Sequence, residues 1–137
     1  MGFERFGTVS FVSQAKVDKF VDFLDEGKVM GTKCKSCGTK YFPPRNDCAQ
    51  CLSSDIEWFE LTGPGKLVTY SKLMYAPSGF EDDLPYRICV VEYPDGVKAF
   101  GRISSSIPDK DLAIGMDLVA VPIKLSGNRI AYEFKRP

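Results

Sequence analysis

The chain contains no histidine at all among its 137 residues. That absence removes the Ser-His-Asp and Cys-His nucleophile pairs, and it removes any mixed cysteine–histidine metal site. There is no GxGxxG turn, no phosphate-cradling P-loop and no HExxH helix. No apolar run approaches the roughly 18 residues of a membrane span. The opening Met1-Gly2-Phe3-Glu4-Arg5-Phe6 lacks the basic and apolar regions of a secretion signal, and Phe6 stands where a myristoylation motif needs Ser or Thr. Charge of one sign is also missing, since eighteen basic side chains meet eighteen acidic ones. A nucleic-acid binder usually shows a basic excess on one face, so this balance argues against that class. Hydrophobic residues make up 44% and charged residues 26%, the range of a globular protein. A cytoplasmic, membrane-free chain is the expectation.

What the chain does have is cysteine in pairs. Cys34-Lys-Ser-Cys37 and Cys48-Ala-Gln-Cys51 are two CxxC units separated by ten residues. Each unit puts two sulfurs on one turn, and together they supply the four thiolates of a tetrahedral Zn(II) site. Such a site has no open coordination position and is normally structural. Iron in a rubredoxin-like site uses the same ligands, so spacing alone does not separate the two metals. One Zn(II) per chain is the expectation. The fifth cysteine, Cys89, sits in an apolar strand and reads as a small hydrophobe.

Along the chain, Ser13 is a candidate N-cap for a helix over residues 14–29. Val17, Phe20, Val21 and Leu24 form its apolar stripe, and Phe23, off the stripe, suggests a second apolar contact. From Met30 to Leu61 the order strand, knuckle, strand, knuckle, strand describes a zinc ribbon. Gly38 follows the first knuckle, where positive φ is needed, and Trp58, Phe59 and Leu61 are expected to cover one side of the module. Gly63-Pro64-Gly65 marks a boundary. Five β segments follow: Lys66–Tyr75, Arg87–Tyr93, Val97–Ile103, Asp117–Lys124 and Arg129–Phe134. The Ile-Cys-Val-Val centre of the second suggests burial on both faces. One longer link separates the third and fourth, the pattern of a five-stranded Greek-key barrel of the OB type. The expected organisation is mainly β: an N-terminal segment and helix (1–29), a four-cysteine ribbon (30–62) and an OB-fold barrel (63–137). The loop between the first two barrel strands carries two prolines, a glycine, Phe80 and the acidic run Glu81-Asp82-Asp83. Long loops with such character tend to be functional, although the acids themselves read as a solvated face.

This order resembles the OB-fold proteins with a rubredoxin-like zinc ribbon catalogued as domain of unknown function thirty-five. The resemblance covers residues 14–134 and rests on Gly31-Thr32-Lys33-Cys34-Lys35-Ser36-Cys37-Gly38, Tyr41-Phe42-Pro43-Pro44-Arg45 with Cys48 and Cys51, Gly63-Pro64-Gly65-Lys66-Leu67-Val68-Thr69-Tyr70-Ser71 and Ala76-Pro77-Ser78-Gly79-Phe80. It implies an accessory subunit that assembles with a thiolase-fold enzyme, or with an acyl-CoA hydratase or aldolase, and shares coenzyme A or an acyl-CoA with it. The partner would hold the catalytic cysteine and histidines; this chain would hold none. The reaction class would be thiolysis or condensation of a β-ketoacyl-CoA, aromatic cases such as benzoylsuccinyl-CoA included. Tyr75, Ala76, Pro77, Ser78, Gly79 and Phe80 would lie near the partner's entrance or the pantetheine arm, with Arg87, Lys98 and Arg102 as candidate phosphate contacts. Two other classes are weighed against it. One is a single-stranded nucleic-acid module stacking bases on Tyr70, Tyr86, Tyr93 and Phe100. The other is an independent thioesterase using Cys89 or a carboxylate.

Overall fold

The computed structural model describes residues 3–8 and 15–137. The expected cap Ser13 and the start of the expected helix at Gln14 lie outside the described residues.

The helix α1 is shorter than the apolar stripe suggests and runs Lys19–Asp25. Its buried face is Phe20, Val21 and Leu24. The Asp18 carboxylate accepts the Ala15 N–H at 2.7 Å, shaping the turn that leads into it. The helix stops because Gly27 takes φ +86°. The Lys28 N–H then reaches back to the Phe23 carbonyl at 2.9 Å and Gly27 N–H to Leu24 at 3.0 Å, a Schellman ending. Off the main stripe, Phe23 packs on Trp58 with ring centroids 5.3 Å apart.

The ribbon is a three-stranded antiparallel sheet of β1 (Met30–Cys34), β2 (Lys40–Tyr41) and β3 (Ile56–Glu60), ordered β2-β1-β3. Gly31 allows its two neighbours to close in, since a Cβ there would lie 2.5 Å from the Tyr41 carbonyl and 2.8 Å from the Phe59 ring. Buried Thr32 exchanges two 2.8 Å hydrogen bonds with the backbone of Arg45, which pins the link between the cysteine pairs.

The barrel strands are β4 (Gly65–Leu73), β5 (Tyr86–Glu92), β6 (Lys98–Arg102), β7 (Asp117–Leu125) and β8 (Arg129–Lys135). Their sheet order is β6-β5-β4-β7-β8, and a parallel bridge between Ile103 and Phe134 closes it. That is the OB arrangement read from the sequence. β4 ends at Leu73, two residues earlier than expected, and leaves Met74 and Tyr75 exposed. In β5 the expected burial on both faces gives way to alternation: Arg87, Cys89 and Val91 are buried, whereas Ile88 and Val90 are half-buried.

Helix, ribbon and barrel share one core. Tyr132 of β8 stands at the junction, 6.0 Å from the Phe20 ring, 5.3 Å from Phe42, 6.3 Å from Phe6 and 6.2 Å from Phe134. Leu61 joins the same cluster, with Trp58 and Phe59 packed against it. Residues 3–8 are tied to β8 by a bridge between Phe6 and Ile130 and by the Arg129 guanidinium on the carbonyls of Phe6 and Gly7.

Candidate metal centre and the barrel groove

The two knuckles are built alike. Cys34 N–H bonds the Thr39 carbonyl and Gly38 N–H bonds the Cys34 carbonyl, each at 2.9 Å. In the second knuckle, Cys48 N–H bonds Ser53 at 2.8 Å and Leu52 N–H bonds Cys48 at 3.0 Å. This repeat aims four sulfurs at one point. All four Sγ atoms lie within 4.8 Å of one another, and the Cys34–Cys51 and Cys37–Cys48 pairs are each 3.5 Å apart. Zn–S bonds of about 2.3 Å in a tetrahedron require sulfurs about 3.8 Å apart, so the donor set fits. Cys34 and Cys48 are buried, and Cys37 and Cys51 are exposed.

The surroundings favour thiolate where the sulfurs are buried. The Tyr41 hydroxyl, 3.4 Å from Cys48 Sγ, is the largest of the hydrogen bonds that lower the Cys48 thiol to about 6. Tyr41 is itself held in place by the Ala49 N–H at 2.8 Å. Its own ionisation is shifted upward, because it donates to that sulfur. The Cys34 thiol is lowered, first by the backbone N–H of Cys37. At Cys51 the Ser53 backbone favours thiolate, but sharing protons with Cys34, together with burial and Cys48, pushes the thiol up to about 12. The arrangement can hold a metal and offers no position for a substrate on it.

The second concavity lies on the barrel. Ile88, Phe100 and Arg102 alternate with core positions of β5 and β6, and with Leu73, Phe80 and Tyr86 they line a groove of about 450 Å³. Its other wall is Phe6–Thr8 together with Ile123 and Ala131. Arg102 lies 4.1 Å over the Tyr86 ring and 5.7 Å from Phe80, and it pairs with Asp83 at 3.0 Å. A more polar hollow of about 460 Å³ adjoins it, sharing Tyr86 and Arg102 and adding Lys72 and Arg87.

Comparison with known proteins bears on both features. Residues 21–57 match the family described as ChsH2, rubredoxin-like zinc ribbon domain, and residues 58–121 match ChsH2, C-terminal OB-fold domain. A Pyrococcus furiosus protein named DUF35 domain-containing scaffold protein is 31% identical over 75% of this chain and 74% of its own length. This chain belongs to the DUF35 family. A Methanocaldococcus jannaschii DUF35 domain-containing scaffold protein is 40% identical over 68% of this chain and 66% of its own length. A Geobacter metallireducens protein named benzoylsuccinyl-CoA thiolase subunit BbsA is 25% identical over 77% of this chain and 73% of its own. The solved Ltp2-ChsH2(DUF35) aldolase chain superposes with a TM-score of 0.76 at 21% identity, covering 93% of this chain and 98% of that one.

In this DUF35 chain the metal ligands converge, and the remaining candidates disperse. Tyr75 is 90% exposed beyond the end of β4, while Phe80 is half-buried at the rim of the groove. Ala76 is half-buried, and Pro77, Ser78 and Gly79 are exposed, with the Glu81 carboxylate accepting the Gly79 N–H at 2.8 Å. Arg102 reaches the groove. Arg87 is buried, and its guanidinium is engaged by Asp109 at 3.1 Å and the Ser104 carbonyl at 2.6 Å. Lys98 stands at the far end of β6, opposite Glu92. The acidic run is not simply a solvated face: Asp83 accepts from both Arg102 and the Thr8 hydroxyl.

The competing classes fare worse. Of the four rings proposed to stack bases, Tyr93 is only 4% exposed and Tyr86 is covered by Arg102. Cys89 is 2% exposed, and burial pushes its thiol up to about 12, far from a nucleophile's range. The sequence reading missed the groove, whose lining comes from all five barrel strands and the N-terminal segment. It also missed Lys72 and Asp109, which pair at 2.7 Å beside Arg87.

Proposed function

We propose that this chain is a non-catalytic, zinc-binding accessory subunit of a thiolase-type acyl-CoA complex, which helps the complex assemble and helps hold the acyl-CoA. The observation that carries the reading is the fate of its thiols. Four converge within 4.8 Å of one another, as a metal site requires, and the fifth is buried in the barrel, in a chain without histidine. A Claisen-type acyl transfer needs a reactive nucleophile and a proton carrier, and these have to come from another chain. The names of the DUF35 scaffold proteins and of BbsA support that division of labour.

In this reading Zn(II), one per chain, is held by Cys34, Cys37, Cys48 and Cys51; it shapes the ribbon and takes no part in the reaction. The three parts are residues 1–29, 30–62 and 63–137, acting in the cytoplasm. Exposed Met74, Tyr75 and Phe100 beside an apolar groove are the kind of surface that marks a contact site. Tyr75–Phe80 would face the partner's entrance, and Arg102 and Lys98 would meet the phosphates of coenzyme A, with Arg87 behind them. The substrate class is a β-ketoacyl-CoA, benzoylsuccinyl-CoA being the aromatic case suggested by the relative's name.

Co-expression with a thiolase-fold enzyme of the same genome tests assembly. One peak holding both chains at fixed stoichiometry on gel filtration is the expected result. Separate elution at micromolar concentrations overturns the proposal.

A further inference from the structure

The polar hollow beside the groove contains a seat made by two cations. Lys72 of β4 and Arg87 of β5 stand directly opposite each other in the antiparallel ladder, where like charges repel. One carboxylate holds them together. Asp109 lies 2.7 Å from the Lys72 ammonium and 3.1 Å from the Arg87 guanidinium, with one oxygen on each. Arg87 is the unusual member, being 7% exposed. Of its five N–H donors, the described residues take two: one meets Asp109 and one the Ser104 carbonyl at 2.6 Å. A buried guanidinium with donors to spare can take more acceptor than one carboxylate oxygen supplies, and its fork suits a phosphate.

Asp109 is held loosely by comparison. Residues 108–111 are exposed between the buried anchors Ile107 and Leu112, and the Asp109 side chain is itself 56% exposed. Exposed ion pairs of this kind contribute little, so a stronger acceptor can replace it. The hollow, about 460 Å³, has room for a diphosphate. Its β7 and β8 side adds Ile123, Leu125 and the carboxylate of Glu133, and Asp83 at its rim is paired with Arg102 at 3.0 Å. The hollow shares Tyr86 and Arg102 with the apolar groove. An occupant with a phosphate end and an apolar arm therefore fits the two together.

We infer that Lys72 and Arg87 form the seat for the diphosphate of coenzyme A, and that Asp109 is a stand-in anion which fills the seat until the ligand displaces it. The turn 108–111 then swings outward between Ile107 and Leu112, and the apolar arm runs over Tyr86 into the groove. The choice of coenzyme A rests on the proposed function, whereas the stand-in rests on the geometry of the seat.

The test is calorimetric titration of the whole chain with coenzyme A, inorganic pyrophosphate and pantetheine. Asp109→Asn removes the competing charge and should bind coenzyme A about tenfold or more tightly than the parent. Lys72→Met, at an exposed position, should weaken binding about tenfold in the parent and in D109N alike. Pyrophosphate should follow the same pattern at lower affinity, and pantetheine, which lacks the diphosphate, should respond to neither substitution. Equal or weaker binding of coenzyme A by D109N overturns the stand-in. Should D109N fail to fold, K72M decides, and an unchanged affinity there overturns the seat. Coenzyme A binding no tighter than pyrophosphate overturns it as the occupant. No binding by parent or D109N overturns the seat and leaves assembly with the thiolase-fold enzyme standing. A chain that shows the expected pattern yet never co-elutes with that enzyme keeps the seat and overturns the proposed function.

Discussion

The Tyr41 hydroxyl bridges the two knuckles' supports: it accepts the Ala49 N–H at 2.8 Å and lies 3.4 Å from Cys48 Sγ. Tyr41 is in β2, so the sheet that carries the first knuckle also orients a ligand of the second. Groups that orient a metal ligand commonly contribute 10–100-fold to metal affinity. Tyr41→Phe is therefore expected to weaken zinc binding by about 10- to 100-fold. Competition against a chromophoric chelator measures it. An unchanged affinity would show the hydroxyl to be incidental.

Metal removal should unfold the ribbon. The module's own apolar surface is small, and four thiols gathered without a metal have little to hold them together. Cys34→Ser, or a strong chelator, should abolish the ribbon's amide protection from hydrogen exchange. Metal analysis of the parent chain should find one zinc.

Tyr132 ties ribbon, helix and barrel into one core, and its partner Phe20 is among the largest fully buried side chains. Phe20→Ala leaves a cavity where the three parts meet and should cost about 3–5 kcal/mol. Denaturant unfolding read by fluorescence and by circular dichroism should show one shared transition in the parent. Two separated transitions in the parent would contradict a common core.

Gly101 lies against the same junction from the barrel side. A Cβ there would stand 2.8 Å from the Phe134 ring and 2.9 Å from Tyr132. Gly101→Ala should cost about 1–3 kcal/mol through overpacking. A neutral result would mean that the two rings move aside freely.

Much of this architecture could be read from residue order. The barrel strands are rich in Val, Ile, Thr and Tyr, and turns such as Pro94-Asp95-Gly96 punctuate them, so their limits were legible to within two residues. The helix was not: its expected range ran to Val29, beyond the last residue of the stripe, Leu24, whereas Gly27 ends it by a backbone preference. Among site residues, the cysteines are local in sequence and were legible at once. The groove and the Lys72–Asp109–Arg87 cluster are assembled from distant strands, and no local spacing announces them. Arg87 illustrates the limit: its position on β5 was read correctly, but the carboxylate that occupies it lies 22 residues away.

That cluster makes stability depend on acid. The Asp109 carboxyl is held below the ordinary carboxylate range, first by the Lys72 ammonium and then by other charges including Arg87. A lowered folded-state value means the contribution is complete above the ordinary value of about 4 and is lost as pH falls through the lowered one. Asp25 behaves likewise, with Arg5 as its main partner and Lys124 second. Denaturation midpoints should fall below about pH 4, and Asp109→Asn should flatten that fall while lowering stability at neutral pH. An unchanged acid slope in D109N would remove Asp109 from this account.

The most direct test of the central claim is acyl-CoA turnover measured in three tubes: this chain alone, a thiolase-fold enzyme of the same genome alone, and the two together. The account predicts no thiolysis of a β-ketoacyl-CoA by this chain alone at any concentration. It predicts full activity in the reconstituted complex, unchanged by Cys89→Ser. Turnover by the isolated chain, abolished by Cys89→Ser, would contradict it.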